Sequence, residues 1–243
     1  MQPKIRVNSN AGIRREAISE DYHCVIVDDF LCDPHELIDF AADHAREFSR
    51  AKSYYPGIFL GINEDAMTDI YRFIRFRMTK QFPFLRSSLR LSSFLSMVTL
   101  LPNELSAVQR ICHTDAELDS GRVPYAALLY LFDDEALGGT SFFKYKKKYE
   151  LLKNVEALGS EDPEKARNYL LDNFPTFRKP AHYMTESNEI AKLVCTIPPR
   201  FNRLIFYSGR IPHNAAISAP DLLSNDVRTG RLTLNIFADV LPK

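Results

Sequence analysis

The sequence predicts a mainly β fold with flanking helices, of the sandwich or jelly-roll kind, and three observations predict it. From about Leu89 onward, seven short β-prone runs follow one another, separated by turn chemistry. Ahead of them stand one strand-like run and two segments with helical periodicity. Hydrophobic residues make up 45% of the 243-residue chain and charged residues 26%, the balance of a globular protein with a substantial core.

The elements read as follows, in order. Residues 22–31 are rich in β-branched side chains and predict a buried strand. A helix should start directly after it, with Asp33 as N-cap, Pro34 at the first helical position and Glu36 completing a capping box. Leu37, Ile38, Phe40 and Ala41 then supply its apolar face. A second helix is expected from about Asn63 to Lys80, opened by Asn63, Glu64 and Asp65, with Met67, Ile70, Phe73, Ile74 and Arg77 at spacings of about one turn. Strands are then expected over 90–101, 105–113, 123–132, 138–145, 191–197, 200–208 and 230–241. The stretch 144–189 interrupts the series with basic, helix-tolerant and proline-containing sequence and reads as an insertion. A chain of this length fits one domain, 1–243, with 1–88 carrying the first strand and supporting helices and 89–243 the β unit.

Composition excludes some functions. Lys plus Arg and Asp plus Glu both number 31, so no net basic field exists to gather nucleic acid or anionic lipid. No apolar run approaches the roughly 20 residues of a membrane span, and the first residues lack a secretory apolar stretch. The expectation is a cytoplasmic protein with neither a nucleic-acid nor a membrane partner. Cys24, Cys32, Cys112 and Cys195 are scattered among apolar neighbours and read as buried reduced thiols.

The residues that carry chemistry are His113, Asp115 and His213. A His-x-Asp pair ending one strand projects both side chains to the same side, because side chains alternate along a strand. A histidine on a later strand can complete three ligands on one face of an octahedral metal, leaving three positions open, which is the usual arrangement for oxygen-activating non-haem iron.

The order of motifs around this trio resembles the Fe(II) and 2-oxoglutarate dependent dioxygenase superfamily, and within it the prolyl-4-hydroxylase-like branch. The parts that match are His113-Thr114-Asp115, the strand 123–132, the Gly138-Gly139 turn, the segment leading to His213, and Gly230-Arg231-Leu232-Thr233. Residues 25–37 also look like the strand and helix that often precede this barrel. The resemblance implies a double-stranded β-helix with Fe(II) on His113, Asp115 and His213, and 2-oxoglutarate as cosubstrate. It further implies that O₂ is consumed to oxidise a small-molecule or peptidyl substrate, most simply by hydroxylation. Arg231 matches the basic residue that holds the far carboxylate of 2-oxoglutarate, and Tyr130 matches a tyrosine on the neighbouring strand that also meets it. Elementary electrostatics agrees, since a buried lone carboxylate costs roughly several kcal/mol and a guanidinium can pair with it through two parallel hydrogen bonds. Thr233, on the same strand face, can add a hydroxyl. Arg228 is out of step with Arg231 and should not share that face.

Two departures accompany the resemblance. Asp115 and His213 are 98 positions apart, which the insertion accounts for, and His213 and Arg231 are 18 apart, an excess that the loop 218–226 would absorb. His23, His35, His44 and His182 read as surface or capping residues, and the run Lys144–Tyr149 as a solvated face. Tyr54 and Tyr55 sit in a turn and are candidate lid residues. Two rival readings are a non-catalytic jelly-roll module that binds a metal or ligand, and a cupin-like enzyme of another reaction class using zinc or manganese.

Overall fold

Strict alternation along one strand organises the molecule. In the computed structural model, which describes residues 3–50, 55–82, 89–115, 123–152, 155 and 162–240, strand β11 (Arg231–Val240) lies between β5 (Leu89–Val98) and β6 (Val123–Tyr130). These belong to an eight-stranded antiparallel sheet of order β1-β2-β9-β6-β11-β5-β4-β3. The other members are β1 (Gly12–Ala17), β2 (His23–Asp28), β3 (Ser49–Arg50), β4 (Gly57–Gly61) and β9 (Leu204–Ser208). A second sheet has the order β10-β7-β8, from β7 (Thr140–Tyr145), β8 (Ala191–Ile197) and β10 (His213–Ala215). Among the described residues no strand pairing closes the two sheets into one barrel.

One face of the large sheet buries Val25, Val27, Leu95, Met97, Leu129, Leu204, Phe206, Leu232, Leu234 and Ile236 under two helices. These are α1 (His35–Asp43), which contributes Leu37, Ile38, Phe40 and Ala41, and α2 (Thr68–Arg77), which contributes Ile70 and Ile74. Such a continuous apolar layer is the main stabilising term of the fold. The opposite face meets the small sheet. There Cys24, Ile26, Ala126, Tyr130, Ile205 and Tyr207 pack with Phe142 and Ile197.

Several expectations change. The run 105–113 does not form a strand: Ala107–Arg110 is a 3₁₀ turn, because the Gln109 side chain accepts from the Ser106 backbone N–H and hydroxyl, and the Gln109 N–H donates to the Ser106 carbonyl, satisfying the backbone locally. His113 keeps only a single bridge, to His213. Helix α1 begins at His35 rather than Pro34, with the Asp33 carboxylate accepting from the His35 N–H at 3.0 Å. No side-chain bond involving Glu36 completes a box. The expected second helix is an α-helix only over Thr68–Arg77, flanked by 3₁₀ turns at Glu64–Met67 and Met78–Lys80, and Asn63 caps its start by accepting from Asp65 N at 2.8 Å. Strands β1, β3 and β4 arise where alternation is weak, and pairing supplies the order, β1 with β2, β4 with β5 and β3 with β4.

Cys32 is exposed and Cys195 half-buried, whereas Cys24 and Cys112 are buried. The inserted stretch holds a 3₁₀ turn at Lys147–Leu152 and helices α3 (Pro163–Asn173) and α4 (Pro175–Arg178). Lys144 and Lys146–Lys148 are solvent-exposed there. Residues 153–154 and 156–161 of the insertion, and Tyr54, lie outside the described residues.

Candidate metal centre

Three ligand groups meet where the small sheet's edge faces the chain that leads out of the 3₁₀ turn. His113 and His213 exchange backbone hydrogen bonds, His113 N to His213 O at 3.0 Å and His213 N to His113 O at 2.8 Å. Asp115 N donates to Gly209 O at 2.8 Å. These bonds hold His113 and Asp115, which belong to no regular strand, against the start of β10 and the turn before it.

The side chains converge. Asp115 Oδ1 stands 3.5 Å from His213 Nε2 and 3.9 Å from His113 Nε2, and one ligand atom from each residue falls within 4.8 Å of the others. Ligand atoms bound at about 2.1 Å and at right angles around one ion would stand about 3 Å apart, so a small inward movement completes the site. Among the described residues this is the one group of three or more His, Cys, Asp or Glu side chains so placed.

Three further observations fit a metal. His213 Nδ1 lies 2.8 Å from the Ile211 carbonyl, which sets the ring with Nδ1 as donor and turns Nε2 toward Asp115. Asp115 Oδ2 is buried without a hydrogen-bond partner among the described residues, a costly state for a carboxylate oxygen unless a cation joins it. Gly209 leaves the room: a Cβ there would come within 2.6 Å of Asp115 Oδ2.

Charge follows from this geometry. Burial works to raise the Asp115 pKa, but the adjacent His213 outweighs it and holds the carboxyl below its ordinary value. Burial works to lower His213, and Asp115 outweighs that in turn, so His213 is raised. His113, 59% of whose side chain is exposed against 7% for His213, is lowered by desolvation and by the His213 charge. Neutral His113 with a carboxylate is the donor set a divalent ion requires.

Arg231, Thr233 and Tyr130 come together on the inner face of the large sheet. Thr233 pairs directly with Tyr130 across β11 and β6, and Arg231 lies two residues along on the same face. All three are buried, Arg231 at 1% exposure. The guanidinium donates from Nε to the carbonyls of Leu137 (3.1 Å) and Gly138 (3.0 Å) and from Nη2 to that of Gly139 (2.9 Å). Gly138 adopts φ +83°, and a Cβ there would strike Ala216 O at 2.1 Å, so the turn presenting these carbonyls needs glycine. Arg228 is exposed and paired with Asp39 at 2.9 Å.

Sequence reasoning missed the neighbours of this group. Ser96 bonds to Thr233 Oγ1 at 3.0 Å and to Tyr55 Oη at 2.9 Å, and Asn235 donates to Ser96. Tyr130 Oη lies 2.8 Å from Thr140 Oγ1. Asn235 was legible by counting in twos from Arg231; Ser96 required the β5–β11 register. Tyr55 is thus a wall of this polar cluster. His23 stacks on Phe82, His44 Nδ1 meets Phe40 O, His182 Nδ1 meets Pro180 O and His35 is exposed; none joins the metal trio.

The inserted stretch braces the ligand segments from outside. Arg110 Nη2 donates to the carbonyls of Thr176, Lys179 and Pro180, and Asn214, next to His213, donates to Met184 O at 2.9 Å.

Comparison with known proteins gives a family without an assigned function. The chain belongs to DUF6445, described as a family of unknown function, whose model matches residues 9–238. No curated protein matches it. Among solved structures, the chain is similar to the cobalt(II) complex of the Kdo hydroxylase KdoO, a non-haem Fe(II) α-ketoglutarate-dependent dioxygenase. That pair shares 13% identity and a TM-score of 0.42, over 87% of this chain and 76% of that one. EvdO2 from Micromonospora carbonacea var. aurantiaca, complexed with 2-oxoglutarate, is 8% identical with a TM-score of 0.38, over 96% of this chain and 95% of the other. No helix among the described residues is long and apolar enough to cross a membrane.

Proposed function

We propose that this DUF6445 member is an Fe(II) and 2-oxoglutarate dependent dioxygenase, a hydroxylase of a small-molecule or peptidyl substrate, built on a double-stranded β-helix. The observation that carries the reading is the pairing of two features inside one intersheet space. One is a His-Asp-His cluster with an unpartnered buried carboxylate oxygen, and the other is a buried arginine beside Thr233 and Tyr130. The strand order supports the fold assignment: β5-β11-β6-β9 faces a small sheet that the His113 bridge extends to four segments, His113-β10-β7-β8. Residues 1–243 would form one domain, acting in the cytoplasm without nucleic acid. The prolyl-4-hydroxylase-like branch is the finer assignment that the motif order favours.

In this reading His113, Asp115 and His213 would hold the ion and leave room on it for further ligands. Arg231 pairs with the far carboxylate of 2-oxoglutarate, its guanidinium already oriented by the carbonyls of 137–139, and Thr233 and Tyr130 bring hydroxyls to the same end. Phe142, Ile205 and Ile197 wall the space between the sheets and keep water from it. When bound, Fe(II) and 2-oxoglutarate supply the oxidising chemistry, with O₂ consumed and the acid released as succinate and CO₂. No side chain of the trio need act as nucleophile or general base.

Anaerobic titration of the Fe(II)-loaded protein with 2-oxoglutarate tests the proposal. The visible absorption band of a chelated 2-oxo acid is expected with wild type and lost in His213→Ala, while Arg231→Ala weakens the acid far more than iron. Absence of the band in wild type, or its survival in His213→Ala, would overturn the reading. The three carbonyl bonds of Arg231 favour one rival, a metal-binding module in which Arg231 only locks the Gly138-Gly139 turn. It predicts that the metal-loaded protein ignores 2-oxo acids.

A further inference from the structure

The Arg231 charge acts on the hydroxyls of four tyrosines, Tyr55, Tyr130, Tyr183 and Tyr207. Three have partners: Tyr55 with Ser96 at 2.9 Å, Tyr130 with Thr140 at 2.8 Å, and Tyr183 with the Leu100 carbonyl at 2.7 Å. The Tyr207 hydroxyl has no hydrogen bond to any described residue. It is also the one of the four on which the Asp115 carboxylate acts.

Packing explains the ring of Tyr207 and leaves its hydroxyl unexplained. The residue is 3% exposed, on the inner face of β9 opposite Ala126. Its ring stands edge-on to His213 at 4.9 Å and to Phe142 at 4.9 Å, contacts a phenylalanine would make equally well. The hydroxyl is not among the sealed, unpartnered polar atoms of the described residues, so it borders open space between the sheets, where a ligand atom can reach it. The ring touches His213 on one side and packs in one cluster with Tyr130, the strand partner of Thr233 next to Arg231, so the residue stands between the trio and the arginine.

We propose that the Tyr207 hydroxyl donates a hydrogen bond to an oxygen of the 2-oxo acid held between the three ligands and Arg231. This makes Tyr207 a cosubstrate-binding residue supplied by the strand that leads into His213, and it rests on the function proposed above. The contact is made only in the complex, so the hydroxyl gives nothing to the stability of the free protein. Its neighbours Phe142 and His213 keep the ring in place for it.

Tyr207→Phe isolates the hydroxyl. The metal-free variant should melt at the wild-type temperature or above it, and bind Co(II) as wild type does. Calorimetric titration of the Co(II)-loaded, oxygen-free protein with 2-oxoglutarate should show affinity about tenfold weaker than wild type. Equal 2-oxoglutarate affinity in the two proteins overturns this inference and leaves the dioxygenase reading standing. Wild type that binds Co(II) but not 2-oxoglutarate overturns both. A Tyr207→Phe protein that fails to fold, or melts several degrees lower with unchanged affinity, makes the hydroxyl structural and also overturns the inference.

Discussion

The two faces of the large sheet are chemically opposite. On strand β11, Leu232, Leu234 and Ile236 turn toward the helices, and Arg231, Thr233 and Asn235 toward the small sheet. Arg231 and Thr233 are as buried as the leucines, at 1% and 0%. The helix face gains from removing apolar area from water, which needs no particular partner. The inner face must satisfy each polar atom individually, through Ser96, Thr140 and the carbonyls of 137–139. Where it does not, at Asp115 Oδ2, a buried carboxylate oxygen is left without a partner among the described residues. One face therefore holds the fold and the other carries the candidate site.

The sharpest way to break that division is Leu234→Ala. It should cost about 3 kcal/mol, within the range of roughly 2–5 for emptying a packed leucine site, as read by denaturant unfolding. Co(II) affinity of the folded variant should stay within about twofold of wild type. A large loss of affinity would show that the faces are not separable.

Gly209→Ala attacks the inner face alone. The added methyl lies 2.6 Å from Asp115 Oδ2 and must displace the carboxylate. Metal affinity should fall roughly ten- to a hundredfold, as for other changes that misorient a ligand. Unchanged Co(II) binding by this variant would mean that Asp115 is not held against Gly209 in solution.

The smallest effect is set by pH. Asp115 is lowered, so its pairing contributes stability above pH about 3.8 that is lost as pH falls through its folded value. His213 is raised, so its contribution is complete below pH about 6.5 and is lost as pH climbs through its higher folded value. The metal-free pair is therefore most stabilising between those limits. A metal must displace the His213 proton, so Co(II) affinity should rise by up to about tenfold per pH unit from pH 6 and level off once His213 is neutral. Affinity that is flat from pH 6 to 8 would contradict a protonated His213 in the free site.

Local rules reached much of this. The apolar faces of α1 and α2, the strands β2, β5, β6, β7, β8, β9 and β11, and the helical character of the inserted stretch follow from periodicity and turn residues. The segment 105–113 was misleading because its apolar pattern suits a strand, while the Ser106–Gln109 exchange favours a tight turn that pattern alone does not reveal. Cys32 stands next to apolar Leu31 yet faces solvent, since a neighbour in sequence says little about direction outside a regular strand.

The sequence by itself determined which residues carry charge and coordination chemistry, and which strand faces are apolar, because both depend on residue type and a period of two. The register of β11 against β5 and β6, which sets Ser96 and Tyr130 beside Thr233, was decided only in three dimensions. So were the approach of Gly209 to Asp115 and the packing of Tyr207 against His213. These rest on contacts between segments far apart in the chain, whose closeness no local propensity encodes. The His113–Asp115–His213 trio belongs to both: its members could be named from the chain, but their convergence needed the backbone exchange between His113 and His213.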